Sequence, residues 1–197
     1  LSPDGKQFAL GGAKLTLWNT NESQPLKNLI EEIQGKEIER PIRCVAFSPN
    51  GELLASGDQK GMLRLWRVSD QSVTIAMKAH DGHMRALAFS PNSQLLATTS
   101  YSGEVFLWNV ADGKKIKSLK VDKQELARLA FLTDTLLATA GRETQIWNVE
   151  TGKKETTFAH DLTEGKAVRV SLRDSRGQKV RFLPPPEPKS LLASNKK

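Results

Sequence analysis

Cysteine, tyrosine and histidine are scarce in this sequence of 197 residues, which has one, one and three of them respectively. Cys44 has no second cysteine to pair with, so the chain forms no internal disulfide bond, and we expect a cytoplasmic protein. No hydrophobic run approaches the roughly 18 residues that a transmembrane helix needs. The sequence therefore predicts neither a disulfide-stabilised secreted domain nor a membrane-spanning one.

The residue patterns that carry catalysis and metal binding are also missing. The three histidines do not combine with carboxylates into a set of three or four ligands with coherent spacing, so no metal site is predicted. No serine lies on a Gly-x-Ser-x-Gly turn, and Cys44 lies inside a predicted strand with no base nearby in sequence. The Gly-Lys-Lys runs at 113–115 and 152–154 lack the upstream glycine of a phosphate-binding loop. We therefore predict no catalytic residue, no cofactor and no enzymatic activity.

The net charge of +7 is concentrated at one end of the chain. Residues 1–161 hold 20 basic and 19 acidic residues, whereas residues 162–197 hold 9 and 3. An evenly basic surface for nucleic acid is therefore not indicated. An alternative left open is RNA or DNA association through the basic C-terminal segment. A solvated segment is the simpler interpretation, because Phe182 is the one aromatic residue there that could stack on bases.

Two sequence markers recur in step along the chain. Tryptophan ends a short strand-like run four times, with spacings of 48, 42 and 39 residues, at Trp18, Trp66, Trp108 and Trp147. A turn motif precedes a Leu-Ala run, as in "FSPNSQLLAT" from Phe89, and Phe89 and Phe131 each lie 23 residues beyond the tryptophan of the preceding unit. Internal repeats of this length indicate a protein built from equivalent structural units.

Each unit is interpreted as four short strands joined by tight turns. In the clearest unit, strands a, b, c and d are predicted at 83–90, 95–100, 104–110 and 116–121. Their β-branched and aromatic residues favour strands, and Asp112-Gly113 supplies the c–d bend. One such antiparallel sheet cannot bury both of its faces alone, so it must stack on copies of itself. The sequence therefore predicts an all-β fold, a β-propeller of four-stranded antiparallel blades.

The repeated unit resembles that of the WD-repeat family. The Ser-Pro-Asp/Asn-Gly turns at 2–5 and 48–51, and the Ala79-His80 pair ten residues before Ser90, match the family's markers in order. Each tryptophan takes the place of the family's Trp-Asp pair, and the resemblance covers about residues 1–160. It implies structural residues inside the blades, namely Trp18, Trp66, His80, Thr98, Trp108, Trp147 and His160.

The resemblance also implies a buried hydrogen-bond network within one blade, formed by a His, a strand-b Ser or Thr, a turn Asp and the Trp indole. The third unit has His80, either Thr98 or Ser100, and Trp108, but Ser102 stands where the family has Asp. In the second unit a lysine, at position 60, takes that place. We therefore expect that no blade has the full network and that packing holds the blades together.

The units divide the chain unevenly. Complete blades are predicted at 41–80, 83–120 and 125–160, partial blades at about 1–30 and 178–197, and a basic insertion at 161–177. Because both ends fall inside a blade, we expect an incomplete ring of about four blades plus part of a fifth, completed by the remaining propeller blades of a longer protein. The run "LKNLIEEI" after Pro25 is either strand d or a short amphipathic helix, and we favour the strand. "KAVRVSL" in the insertion either extends the fourth blade or forms an outer hairpin.

The resemblance finally implies a protein-interaction scaffold whose top face binds a protein or peptide through the d–a and b–c loops. The side chains expected on that face are Glu39, Gln59, Asp81, His83, Tyr101, Lys123, Glu125 and Arg142. We favour Tyr101, His83 and Arg142, because aromatic and Arg side chains dominate interface energetics. A third hypothesis is an accessory domain of an enzyme whose catalytic domain lies outside this chain.

Overall fold

The computed structural model describes most of the repeat region and little of the C-terminal region. The described residues are 1–22, 25–29, 31–33, 36–38, 41–121, 126, 128–141, 143–159, 172–173 and 179–180. The chain divides into two compact units, Leu1–Thr163 and Glu164–Lys197. The regular secondary structure of the described residues consists of β-strands, so the all-β prediction is confirmed.

The first unit contains four consecutive antiparallel sheets, which we call blades 1 to 4. Blade 1 has β1 (Gln7–Leu10), β2 (Leu15–Asn19) and β3 (Pro25–Leu29), and a hairpin of β4 (Glu31–Ile33) and β5 (Lys36–Ile38) follows it. Blade 2 has β6 (Ile42–Phe47), β7 (Leu53–Asp58), β8 (Met62–Arg67) and β9 (Val73–Lys78). Blade 3 has β10 (Met84–Phe89), β11 (Leu95–Ser100), β12 (Val105–Asn109) and β13 (Lys115–Leu119). Blade 4 has β14 (Arg128–Phe131), β15 (Leu136–Ala140), β16 (Glu143–Asn148) and β17 (Lys154–Ala159).

Blades 2, 3 and 4 are four-stranded meanders, as predicted. In each of them neighbouring strands pair in chain order, and the four strands take the places of a, b, c and d. Blade 1 has strands b, c and d, in the order β1-β2-β3. The "LKNLIEEI" run contributes to strands β3 and β4, so the strand alternative is the right one there.

The blades are held together by apolar layers between successive sheets. Leu63 and Leu65 of blade 2 pack in one cluster with Met84, Leu96 and Trp108 of blade 3. Corresponding clusters join blade 1 to blade 2 and blade 3 to blade 4. Full burial of each such side chain contributes about 1.5–3 kcal/mol, and a sheet flanked by two neighbours gains this on both faces. This repeated stacking explains why the middle strands β7 and β11 are buried along almost their whole length.

The a–b turns form a chain of contacts on one end of the blades. Ser48 and Ser90 each accept a hydrogen bond from the N–H five residues later, at 2.9 Å, which fixes the turn. Ser93 adopts a φ of 62°, where blade 2 has Gly51 at 76°. The Ser93 hydroxyl accepts a hydrogen bond from the Asn50 N–H at 3.1 Å, and this bond joins the a–b turn of blade 2 to that of blade 3.

The second unit is described at four residues. β18 (Leu172–Arg173) pairs with β19 (Lys179–Val180) in a two-stranded antiparallel sheet. The predicted partial blade at 178–197 and the "KAVRVSL" strand lie almost entirely outside the described residues.

Candidate functional site

The candidate site is the end of the blades opposite the a–b turns, which we call the top face. It carries the b–c turns, such as 101–104 in blade 3, and the connections between blades, such as 79–83. The strands β6, β10 and β14 contact one another in succession, so strand a of blades 2, 3 and 4 lies on the inner side of the blade array. Residues at the start of strand a therefore lie at the inner rim of the top face.

Four of the eight predicted top-face residues are described: Gln59, Asp81, His83 and Tyr101. The other four, Glu39, Lys123, Glu125 and Arg142, lie outside the described residues, as does His160. The structure brings three of the four together on blade 3. The Tyr101 N–H donates to the His83 carbonyl at 2.9 Å, and Tyr101 and Asp81 line one open groove. Gln59 lies on the b–c turn of blade 2.

Tyr101 is the most prominent side chain of this surface. It is 62% exposed, and the guanidinium carbon of Arg85 lies 5.1 Å from its ring centroid in a cation–π contact. The groove beside it has Phe106 and Leu119 among its lining residues, together with Glu104, Lys115 and Lys120. An exposed aromatic ring beside apolar and mixed charged groups can bury area against a partner and orient it through polar contacts.

Two arginines that the sequence reasoning missed lie on the same face. In blade 2, Ile42 pairs with Asp58 and Cys44 with Gly57, so Arg43 is an extra residue in a β-bulge. In blade 3, Arg85 is the extra residue between Met84 and Ala86. Bulges turn side chains away from the regular strand direction. The Arg43 Nη2 donates to the Gln59 Oε1 at 3.4 Å, on the b–c turn of its own blade.

The blade 3 network forms around Thr98. Its Oγ1 accepts a hydrogen bond from the Trp108 Nε1 at 2.8 Å and lies 2.8 Å from the His80 Nε2. The His80 ring stacks on Phe106, with 4.6 Å between centroids and 4° between planes. Among the described residues the His80 Nδ1 has no hydrogen-bond partner, although it is buried. Ser102, at the position of the family's Asp, bonds instead with the Ser100 and Glu104 side chains.

The environment of His80 favours the neutral imidazole. Burial lowers its pKa from 6.5 to about 4, the Lys115 charge acts in the same direction, and the Asp81 carboxylate opposes both. Neutral His80 is consistent with its stacking on an aromatic ring inside the blade. Its position indicates a structural residue of blade 3 rather than a group that contacts a ligand.

Blade 2 fills the equivalent space with an ion pair that the sequence reasoning also missed. The Arg64 Nη1 lies 3.1 Å from the Asp58 Oδ2, and both side chains are almost fully buried. The Asp58 Oδ1 also accepts from the Lys60 and Met62 N–H groups at 2.8 and 2.9 Å, which shapes the b–c turn. Lys60, which stands where the family has Asp, contributes its backbone to this turn. The blade's indole keeps its expected acceptor, the Ser56 hydroxyl, at 2.9 Å.

Blades 4 and 1 differ from each other in the strand that supplies the hydrogen-bond acceptor of the indole. In blade 4, the Trp147 Nε1 donates to the Thr139 Oγ1 at 3.2 Å. In blade 1, strand b has Leu10 opposite Thr16, and the Trp18 indole donates to the Thr16 hydroxyl of its own strand at 3.0 Å. In blade 1 the accepting hydroxyl therefore belongs to strand c rather than to strand b, and the indole still has a hydrogen bond.

A metal site and a nucleophilic cysteine both lack support among the described residues. In the part of the chain that the structure describes, no group of three or more His, Cys, Asp and Glu residues is placed to hold a metal ion. Burial raises the pKa of the Cys44 thiol to about 12, so this thiol is protonated at neutral pH and a poor nucleophile. No helix among the described residues is long and apolar enough to cross a membrane.

Comparisons with known proteins agree with this geometry. Residues 45–134 match the family model of the anaphase-promoting complex subunit 4 WD40 domain. The chain is 33% identical over 82 residues to WD repeat-containing protein 91 of Gallus gallus, which covers 41% of this chain and 10% of that protein. It is 54% identical over 69 residues to the human serine-threonine kinase receptor-associated protein, which covers 34% of this chain and 18% of that protein.

The fold is similar to a solved structure as well. A chain from the structure of U3-55K superimposes with a TM-score of 0.72 at 22% identity, covering 81% of this chain and 50% of that one. The matched regions are thus a tenth to a fifth of the length of these curated relatives and half of the solved chain. Residues 45–134 thus resemble a WD40-repeat domain, and the described four-stranded sheets are the antiparallel blades of a β-propeller.

Proposed function

We propose that this domain is a non-catalytic protein-interaction module that binds a protein or peptide partner on the top face of blades 2 and 3. The observation that carries the proposal is Tyr101, an aromatic side chain 62% exposed and in contact with Arg85 at the rim of a groove. Tyr101 is not a member of the apolar clusters on either side of blade 3, so its ring is not part of the packing between blades. Tyr and Arg are the residue types most enriched at interface hot spots.

The scaffold beneath this surface supports the same function. Tyr101 follows directly on β11, whose last five residues are buried, and Arg85 lies within β10. A binding residue held by buried strands loses little conformational freedom when a partner docks, so more of the contact energy appears as affinity. The charged side chains around Tyr101, which include Arg85, Glu104 and Lys115, are mixed in sign. A partner with its own mixed surface is therefore expected.

The wider setting belongs to the same proposal. WD40 domains typically mediate protein interactions, and the curated relatives are much longer than the regions matched here. We propose that the domain acts as a scaffold module within a larger protein and pairs with further propeller blades. The scarcity of cysteine supports a cytoplasmic location.

The test compares two exposed apolar side chains of blade 3. Tyr101 lies on the top face, whereas Ile116, 50% exposed, lies on the outer strand β13. Proteins recovered with the tagged full-length chain are quantified for Tyr101→Ala, Ile116→Ala and wild type. We expect at least one partner to be depleted about tenfold or more by Tyr101→Ala and retained by Ile116→Ala. Equal recovery with all three chains would contradict the proposal.

A further inference from the structure

The two bulged arginines occupy the same position in successive blades. Arg43 and Arg85 are each the extra residue next to the first paired residue of strand a. The strands that carry them, β6 and β10, pack against each other, and Gly57 fits closely between Cys44 and Met84, next to the bulges. Both arginines therefore emerge at the inner rim of the top face on adjoining strands.

Each bulge directs its arginine onto the b–c turn of its own blade. Arg43 reaches the Gln59 amide oxygen, and Arg85 lies over the Tyr101 ring. These contacts fix the side chains without neutralising them, because an amide and an aromatic ring carry no net charge. Within the described residues, neither guanidinium forms an ion pair with a carboxylate.

A carboxylate at the top end of blade 2 is already occupied. Asp58, at the top end of strand b, is paired with Arg64 and accepts two backbone N–H groups. A guanidinium carries five N–H donors in a planar fork that matches a carboxylate. Arg43 and Arg85 thus present two oriented, positively charged forks on adjoining strands, and no carboxylate of the described residues is paired with either of them.

We propose that Arg43 and Arg85 together bind carboxylate side chains of an acidic peptide segment in the partner, and that Tyr101 packs against an apolar residue next to them. This assignment rests on the proposed function and names the chemistry of its partner. Charge-assisted bonds to two forks on neighbouring blades select an extended segment that crosses from blade 2 to blade 3. The cation–π contact holds Arg85 in place before binding, which lowers the entropy cost of docking.

The experiment selects short random peptides on the full-length chain by phage display and measures each enriched peptide by fluorescence anisotropy. We expect the enriched peptides to contain Asp or Glu residues. Their Asn and Gln versions, and the Arg43→Ala and Arg85→Ala variants, are each expected to weaken binding about tenfold or more. Lysine at both positions should recover part of the affinity, since it keeps the charge but not the fork.

The matched control is Arg67→Ala, which removes an exposed arginine at the opposite end of blade 2. Its affinity for the peptides should equal that of the wild type, and unchanged thermal melts of all variants show that the fold is retained. Peptides that need Tyr101 but neither arginine nor their own acids would overturn this inference and leave the proposed function standing. No enrichment, or peptides indifferent to Tyr101 and both arginines, would overturn both.

A nucleic acid is the competing source of negative charge. A labelled single-stranded oligouridylate is therefore titrated against the same variants. Weak binding that does not depend on Arg43 and Arg85 supports the peptide assignment. Tight oligouridylate binding that is lost in the Arg43→Ala and Arg85→Ala variants would assign the surface to nucleic acid and overturn the inference.

Discussion

Blades 2 and 3 share one backbone plan and fill its buried centre with different chemistry. Both keep the hydrogen bond from the tryptophan indole to a strand-b hydroxyl. Two residues before the tryptophan, however, blade 2 has Arg64 paired with Asp58, whereas blade 3 has Phe106 stacked on His80. The indole–hydroxyl bond and the apolar layers are thus the features that define the blade, while the space beside them holds either an ion pair or an aromatic stack. The two solutions should fail in different ways.

The largest expected effect is on blade 2. Asp58→Asn removes the negative charge from the buried ion pair with Arg64, and we expect the free energy of unfolding to fall by about 3–5 kcal/mol. Chemical denaturation of the full-length chain measures it. Asp70→Asn removes a carboxylate from an exposed ion pair and should change stability little. A small effect of Asp58→Asn would mean that the ion pair does not stabilise blade 2.

Transplanting the chemistry of blade 3 into blade 2 sharpens that result. Asp58 and Arg64 occupy the places that Ser100 and Phe106 take in blade 3. The double substitution Asp58→Ser with Arg64→Phe should recover most of the stability lost in Asp58→Asn, because no charge is then left buried. A double variant no more stable than Asp58→Asn would show that the two blades are not interchangeable.

The next effect distinguishes the two hydroxyl acceptors. Thr98→Val leaves both the Trp108 indole and the His80 Nε2 without a partner, and should cost about 2–3 kcal/mol. Ser56→Ala leaves only the Trp66 indole without a partner, and should lower the free energy of unfolding by about 1–2 kcal/mol. The difference between the two, measured by denaturation under one condition, reports the contribution of His80. Equal losses would remove His80 from the network.

Acid should destabilise blade 3 through His80. Its pKa is lowered from 6.5 to about 4 in the folded chain, so between these values the unfolded chain binds the proton more readily. The contribution of neutral His80 is therefore complete above pH 6.5 and is lost as the pH falls toward 4, by about 2–3 kcal/mol. Unfolding measured across this range should show a steeper acid loss for the wild type than for His80→Gln. Parallel curves would contradict the depressed pKa.

The smallest expected effect comes from giving blade 3 the aspartate that it lacks. Ser102→Asp places a carboxylate where the WD-repeat pattern has one, and it can accept a hydrogen bond from the buried His80 Nδ1. We expect a gain of about 1 kcal/mol in stability and a higher His80 pKa, with Ser102→Ala as the control. NMR titration of the His80 ring measures the second change. An unchanged pKa would show that the aspartate does not reach the imidazole.

The sequence predicts the blades well because their determinants are local. The tryptophans, the Ser-Pro turns and the spacing between them fix which residues pair, and the structure has strands there. The sequence alone does not show whether Thr98 or Ser100 supplies the hydroxyl of the buried network. Both residues lie on the same face of one strand, and the cross-strand register decides between them. The bulges at Arg43 and Arg85 were missed for the same reason, because an extra residue shows only in the pairing. The Asp58–Arg64 pair was missed because it departs from the family's pattern.

The central claim is that a partner docks on the top face of blade 3. The most direct test replaces Tyr101, and in a second chain Ile116, with a photo-crosslinking phenylalanine analogue and compares the crosslinked products in cells. Both positions belong to blade 3 and are exposed, at 62% and 50%. We expect a discrete crosslinked partner from position 101 and none from position 116. The same product from both positions, or a product from position 116 alone, would contradict it.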